Sequence, residues 1–314
     1  MHYIVFDLEW NSAGRANRVD QAIQDIIPFE IIEIGAVKLD EAFQTIARFS
    51  TQIRPRIYPI LTGPVAAVTR RHQQSMKYGL NFQDAARDFF DFCGDDYIFC
   101  TWSESDTATL LMNLRYYEIA EQLDALCLDV QFLFDHVVEQ ADTQRSIEYA
   151  IDFLNLKKNQ PFHQAVNDAW YTGQILREIV LNNQQEAEVA DLINRYAFDP
   201  NLNRSSQIRL SDLPDLPAIQ AELGIQSLVC PACSIQLQQI QAWQLDKNRL
   251  TALFYCEIHG KVTAKCRFRR KPQQRYSAHV MIRLDRDQAQ DALYPQEARL
   301  PDQAAGDQDE VYVT

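Results

Sequence analysis

The first apolar run of the chain, Ile4-Val5-Phe6-Asp7-Leu8-Glu9-Trp10-Asn11, reads as a short buried strand. Two acids interrupt it, Asp7 and Glu9, and alternation along a strand puts both carboxylates on one face. Phe29 to Leu39 and Thr45 to Ile53 predict a second and a third strand. The polar segment between the first two, Ser12 to Pro28, is too long for a hairpin turn. It is expected to form a loop or short helix beside the carboxylates, acting as a lid. Pro55, Pro59 and Pro64 mark an irregular connection.

From Asn81 the period changes. Phe82, Ala85, Ala86, Phe89 and Phe90 recur at helical spacing to Phe92, and Gly94 follows as a stop. Tyr97 to Trp102 predicts a fourth strand leading into Ser103-Glu104-Ser105-Asp106, where Ser103 or Ser105 can cap a helix carrying Leu110, Leu111 and Leu114. Asp106 thus falls at a strand-to-helix junction. Leu126 to Val130 predicts a short fifth strand and Ser146 to Leu156 an amphipathic helix. In a longer helix from Ala165 to about Leu181, Ala165, Ala169, Thr172, Ile175, Leu176 and Ile179 recur at threes and fours. Strands with helices interleaved make an α/β arrangement.

Burying two like charges on a core strand is costly, and a bound divalent cation removes that cost. A strand with one wet face would also tolerate the pair. His163 and Asp168 are five apart, which within one helix would set them about 140° from each other. To share a site, His163 must lie just before the helix, as Pro161 suggests. Taken singly, Asp106 also reads as a helix-start acid, Asp168 as a surface-helix acid and His163 as a loop or capping residue. Their joint order with Asp7 and Glu9 changes the picture.

That order resembles the DEDDh 3′–5′ exonuclease family, the proofreading-exonuclease and ribonuclease T-like group of the ribonuclease H fold. Asp7-Leu8-Glu9 matches its first motif and Asp106 its second. His163-Gln164-Ala165-Val166-Asn167-Asp168-Ala169 matches the third, and Ile31 to Val37 resembles the strand after the first motif. The resemblance covers about residues 1–180. It implies a mixed sheet flanked by helices, and two Mg²⁺ or Mn²⁺ ions held by Asp7, Glu9, Asp106 and Asp168, with Asp7 bridging. His163 would be the general base, and nucleoside 5′-monophosphates would leave from the 3′ end of single-stranded or 3′-overhang RNA or DNA. Where relatives carry Thr-Gly-Ile or similar, this chain has Val68-Thr69-Arg70-Arg71. In relatives that loop touches the terminal nucleotide, so Thr69 and Arg70 are candidates for substrate contact, although the departure weakens the expectation of end recognition. Trp10 is a further candidate, by stacking or as a core residue, and Arg70, Arg71 and Lys77 are expected to meet phosphates or to form a solvated face.

Beyond Asn182 the text changes. A polar helix is expected from Gln184 to Tyr196, then a proline-rich linker or brace to Pro217. Cys230-Pro231-Ala232-Cys233 and Cys256-Glu257-Ile258-His259-Gly260 follow, separated by β-like segments at 242–245 and 250–255, and resemble the two knuckles of a zinc ribbon. Cys230, Cys233 and Cys256 are candidate ligands of a structural Zn²⁺, with His259 as the fourth and Cys266 as the alternative. Cys93, Cys100 and Cys127 sit singly in apolar surroundings and read as buried small residues. Lys261, Lys265, Arg267, Arg269, Arg270, Lys271 and Arg275 then form a basic strand-like segment, suited to nucleic-acid backbone or to a solvated edge strand.

The expected division is an exonuclease domain at 1–182, a helical or irregular linker at 183–225, a zinc-ribbon-like domain at 226–284 and an acidic flexible tail at 285–314. At 314 residues the chain is long for one core, and its formal net charge of −13 argues against indiscriminate nucleic-acid binding rather than against a local site. With no long apolar run and no apolar leader, a cytoplasmic protein without membrane contact is expected. The competing readings are a nucleic-acid-binding or scaffold protein built on an inactive exonuclease fold, and an adaptor whose zinc ribbon contacts protein.

Overall fold

The computed structural model describes residues 1–69, 73–141, 143–182, 192–193, 195–246, 249–271 and 275–285. The chain divides into two compact units between Leu202 and Asn203.

In the first unit β1 (His2–Ser12), α1 (Gln21–Ile26), β2 (Phe29–Leu39) and β3 (Thr45–Gln52) come first, then α2 (Gly63–Thr69), α3 (Phe82–Cys93), β4 (Tyr97–Thr101) and α4 (Glu104–Tyr116). They are followed by β5 (Cys127–Asp129), α5 (Val130–Leu133), α6 (Ile147–Phe153), α7 (Ala165–Asn182) and β6 (Ala197–Phe198). Six strands form one mixed sheet in the order β3-β2-β1-β4-β5-β6. β1 runs antiparallel to β2 and parallel to β4. Alternation along β1 and β2 sorts their side chains into two cores. Val5, Val37 and Leu39 pack with Tyr171, Ile175 and Ile179 of α7 on one face. Ile4, Phe6, Ile34 and Ala36 pack with Phe89 of α3 and Leu110 and Leu114 of α4 on the other. Asp7 and Glu9, in phase with Val5, thus belong to the α7 side.

Local signals set the helix ends. Asn81 accepts from the Asp84 N–H at 2.8 Å, and α3 stops at Gly94, whose φ of 77° suits glycine. Ser103 caps α4 and Ser146 caps α6. The buried Asn113 amide ties α4 to β2. It donates to Phe29 O at 2.9 Å and accepts from Ile31 N at 3.1 Å, beside the register shift after Glu9.

The segment expected to be a lid is anchored rather than free. Asn17, buried, donates to Ile60 O at 2.6 Å and accepts from Ile60 N at 3.0 Å, while Asn11 donates to Tyr58 O and Ile60 O, each at 2.8 Å. Glu30 holds the irregular connection from beneath, accepting from the N–H groups of Arg56 and Tyr58 at 2.7 Å each.

In the second unit β7 (Ser205–Leu213), α8 (Leu216–Ile225), β8 (Gln238–Asp246), β9 (Arg249–Cys256), β10 (Gly260–Arg270) and β11 (Tyr276–Leu284) build a five-stranded sheet in the order β7-β11-β10-β9-β8. Every neighbouring pair is antiparallel. Two expectations change here. Residues 205–213, assigned to a linker, form a strand hydrogen-bonded to β11, and α8 follows with Asp215 as its cap. The basic segment is no edge strand: β10 lies between β9 and β11. The helix expected from Gln184 to Tyr196 is described only at residues 192, 193, 195 and 196, all of them helical, and the acidic tail beyond Asp285 lies entirely outside the described residues. No helix among the described residues is long and apolar enough to cross a membrane.

Candidate functional site

Gly35 makes the acid site possible. It lies directly opposite Asp7 in the β1–β2 ladder. A Cβ added there would fall 1.9 Å from the backbone N of Val166 and 2.1 Å from Ala165 C, so the first turn of α7 rests directly on the β2 backbone. That same first turn of α7 presents Asp168, and one oxygen each of Asp7, Glu9 and Asp168 lies within 4.8 Å of the others. Asp106 enters from the start of α4, on the other side of the strand, and accepts the Leu8 N–H at 3.1 Å. That amide lies between the two acids of β1, so three separate elements deliver carboxylates to one end of β1.

The electrostatics record the crowding. Burial, then repulsion from Asp106, Asp168, Glu9 and Glu33, pushes Asp7 well above the usual carboxylate range. Burial raises Asp106 to about 7, against the hydrogen bond from Leu8 and with Asp129 and Asp168 adding to the rise. Asp168 is raised to about 6, again chiefly by burial, against the N–H and charge of His163. Its Oδ2 accepts the His163 N–H at 2.9 Å, while its Oδ1 is buried without a hydrogen-bond partner. A buried, unpartnered carboxylate oxygen beside two further carboxylates is a donor set that fits a hard divalent cation.

His163 lies just ahead of α7, in the left-handed region at φ 64°, which turns its backbone N–H onto Asp168. Its ring is half-exposed, with Nε2 3.9 Å from Oε1 of Glu148 on α6. Two acids of this neighbourhood escaped sequence reasoning. Glu33, buried, sits directly opposite Glu9 and raises both Asp7 and Asp168. The signal was an acid inside the apolar run of β2, the same signal that marked Asp7. Glu148 lies in the first turn of α6, and no motif singled it out. Of the candidates for substrate contact, Trp10 is partly buried, its ring 5.7 Å from that of Phe29 at the margin of a core. Thr69 ends α2, Lys77 is exposed, and Arg70 and Arg71 fall outside the described residues.

The second unit brings together a different donor set. Cys230, Cys233, Cys256 and His259 converge, with Cys230 Sγ 3.5 Å from His259 Nδ1, Cys233 Sγ 3.6 Å from Cys256 Sγ, and Cys256 Sγ 3.7 Å from His259 Nδ1. Tetrahedral Zn²⁺, with bonds of about 2.3 Å to sulfur and about 2.0 Å to nitrogen, separates its ligand atoms by about 3.5–3.8 Å. The donor set fits. The two knuckles also repeat one another. Burial raises Cys230 to about 11 against the N–H groups of Cys233 and Ala232, and burial likewise opposes the N–H groups of His259 and Ile258, which hold Cys256 down. Cys266, the alternative ligand, is not in the group: it is buried mid-strand in β10, opposite Val280 and Leu250.

Residues 4–176 match the family described as RNase T exonuclease. Among solved structures, the nuclease domain of 3′hExo, a DEDDh family member bound to rAMP, is similar at 15% identity and a TM-score of 0.51, over 58% of this chain and 92% of that one. A full-length 3′-exonuclease is similar at 14% identity and a TM-score of 0.50, over 58% of this chain and 82% of that one. A 3′-exonuclease in 3′-end-specific recognition of a histone mRNA stem-loop gives the same identity, coverage and score. No curated protein matches the chain. The mixed sheet with helices on both faces is the ribonuclease H-like arrangement of these exonucleases.

Proposed function

The chain belongs to the RNase T exonuclease family, and from that premise we propose that it is a metal-dependent 3′–5′ exonuclease releasing nucleoside 5′-monophosphates from RNA or DNA. The observation that carries the reading is the convergence of one oxygen each of Asp7, Glu9 and Asp168 to within 4.8 Å, with Asp168 Oδ1 buried and unpartnered and Asp106 accepting the Leu8 amide between Asp7 and Glu9. These four would hold two Mg²⁺ or Mn²⁺ ions. When bound, the ions would neutralise the acids and stabilise charge on the attacking and leaving oxygens of a phosphodiester.

The chain's own groups have separable tasks. Asp7, on a strand interior to the sheet, would be the carboxylate common to both ions, with Glu9, Asp168 and Asp106 as the remaining donors. The His163 N–H occupies Asp168 Oδ2 and so aims Oδ1 into the site. The exposed imidazole takes a proton from the attacking water, and Glu148 stabilises the resulting imidazolium. The new P–O bond forms as the bond to the 3′ oxygen breaks, and that oxygen takes a proton from solvent, leaving a 5′-monophosphate and a strand shorter by one nucleotide that ends in a 3′-hydroxyl. The Cys₃His set would hold a structural Zn²⁺, since all four ligands come from the protein.

The test is digestion of labelled single-stranded RNA and DNA of equal sequence with Mn²⁺, Mg²⁺ or EDTA, alongside Asp7→Ala and His163→Ala. Stepwise, metal-dependent shortening from the 3′ end, lost in both variants, is the expected result. Intact substrate with folded, metal-loaded wild type would refute the reading.

A further inference from the structure

We propose that the open face of the C-terminal sheet binds the sugar–phosphate backbone of single-stranded nucleic acid. The register of the sheet sets Arg209 of β7 opposite His279 of β11, His279 opposite Arg267 of β10, and Arg267 opposite Arg249 of β9. With strands about 4.8 Å apart, the row spans about 14 Å. Lys265 and Arg269 flank Arg267 on the same strand and the same face, each about 6.8 Å along it. Arg209, Arg249, Lys265, Arg267 and Arg269 are all exposed. Asp246 ends the row and lies 3.4 Å from Arg249. Among the described residues Arg209, Lys265, Arg267 and Arg269 have no carboxylate partner.

Like charges directly opposite one another weaken a sheet. Cations that deter pairing belong on an edge, and β10 is interior with both sides hydrogen-bonded. The strand cannot turn its charges elsewhere, because its other face buries Val262, Ala264 and Cys266. The concentration of positive charge is local, in a chain of net charge −13. A grid of arginine and lysine heads on an exposed sheet face is complementary to a chain of phosphates. Tyr255, 42% exposed on the same face opposite Lys261, adds a ring on which a base can stack. The choice of nucleic acid over another polyanion rests on the catalytic reading above.

The experiment is fluorescence anisotropy of a labelled single-stranded 20-mer over a salt series. The full-length zinc-loaded protein would carry Asp7→Asn so that the strand stays intact. Adding Arg209→Ser, Lys265→Ser, Arg267→Ser and Arg269→Ser should weaken binding at low salt by about tenfold or more and reduce the slope of log K against log salt by about 3. A charge-retaining set, Arg209→Lys, Arg267→Lys and Arg269→Lys, should bind within about threefold, with zinc content verifying the fold of both. Unchanged affinity and slope in the serine variant would overturn the proposal. So would equally tight binding of poly-glutamate, which would mark an acidic protein segment as the occupant. Salt-sensitive binding lost in the serine variant, with no hydrolysis by wild type, would sink the catalytic reading and leave this one standing. Hydrolysis by wild type with serine-variant binding unchanged would do the reverse.

Discussion

The two units solve opposite problems with charge. The first encloses a strand between two apolar cores and spends part of that stability on holding Asp7, Asp106 and Asp168 beside one another. The second has a sheet with one apolar face and one open face, and gathers three thiols and an imidazole at the turns at one end. A cation in the first would relieve a repulsion that the fold already survives. A cation in the second would supply cohesion that the thin core lacks. A cluster of ligands therefore does not by itself say whether a metal serves chemistry or architecture; the size of the core around it does.

That contrast can be broken most sharply at the proposed zinc site. A chelator, or Cys256→Ser, should unfold the second unit, since structural zinc contributes on the order of 10 kcal/mol to small domains. Limited proteolysis should then cut beyond Asn203 while residues 1–182 stay protected. Equal loss of both units would show that the metal supports the whole chain.

The converse holds for the acids. Asp106→Asn should stabilise the metal-free protein by about 2–4 kcal/mol at pH 8 while abolishing stabilisation by Mn²⁺. The sign follows from the raised value of about 7 for Asp106. Between the ordinary aspartate value, about 4, and that raised one, the folded chain holds more protons than the unfolded chain, so stability falls as pH rises. Thermal melts of the metal-free protein from pH 5 to 8 should show this fall, and the Asn variant should show less of it. Mn²⁺ affinity, competing with those protons, should weaken below about pH 7.

Smaller effects sharpen the same contrast. Gly35→Ala forces α7 off β2 and should cost about 1–3 kcal/mol, together with Mn²⁺ binding, even though residue 35 carries no ligand. Calorimetry and metal titration would separate this from a purely structural change. Cys266→Ala should cost about 1 kcal/mol and leave zinc content unchanged, because that thiol is buried packing in β10. Loss of zinc from this variant would return Cys266 to the ligand set.

Much of the first unit was legible in its periodicity. β2 runs from Phe29 to Leu39 as its apolar run predicted, Asn81 and Gly94 bracket α3, and α7 begins at Ala165, two residues after His163. The spacing of Asp7 and Glu9 dictated a shared face, and the Cys-x₂-Cys and Cys-x₂-His turns dictated two knuckles, because both are consequences of backbone geometry over a few residues. The tertiary structure decided the rest. Pairing with β11 made a strand of the proline-flanked residues 205–213, and pairing on both sides moved β10 from an edge to the interior. The absence of a side chain at Gly35 let α7 settle onto β2 and carry Asp168 to Asp7, and the ladder set Glu33 opposite Glu9. Side-chain phase is a property of neighbouring residues and can be read along the chain. Which strand pairs with which, and how closely a helix approaches, are set by contacts between residues far apart in sequence, on which the local pattern is silent.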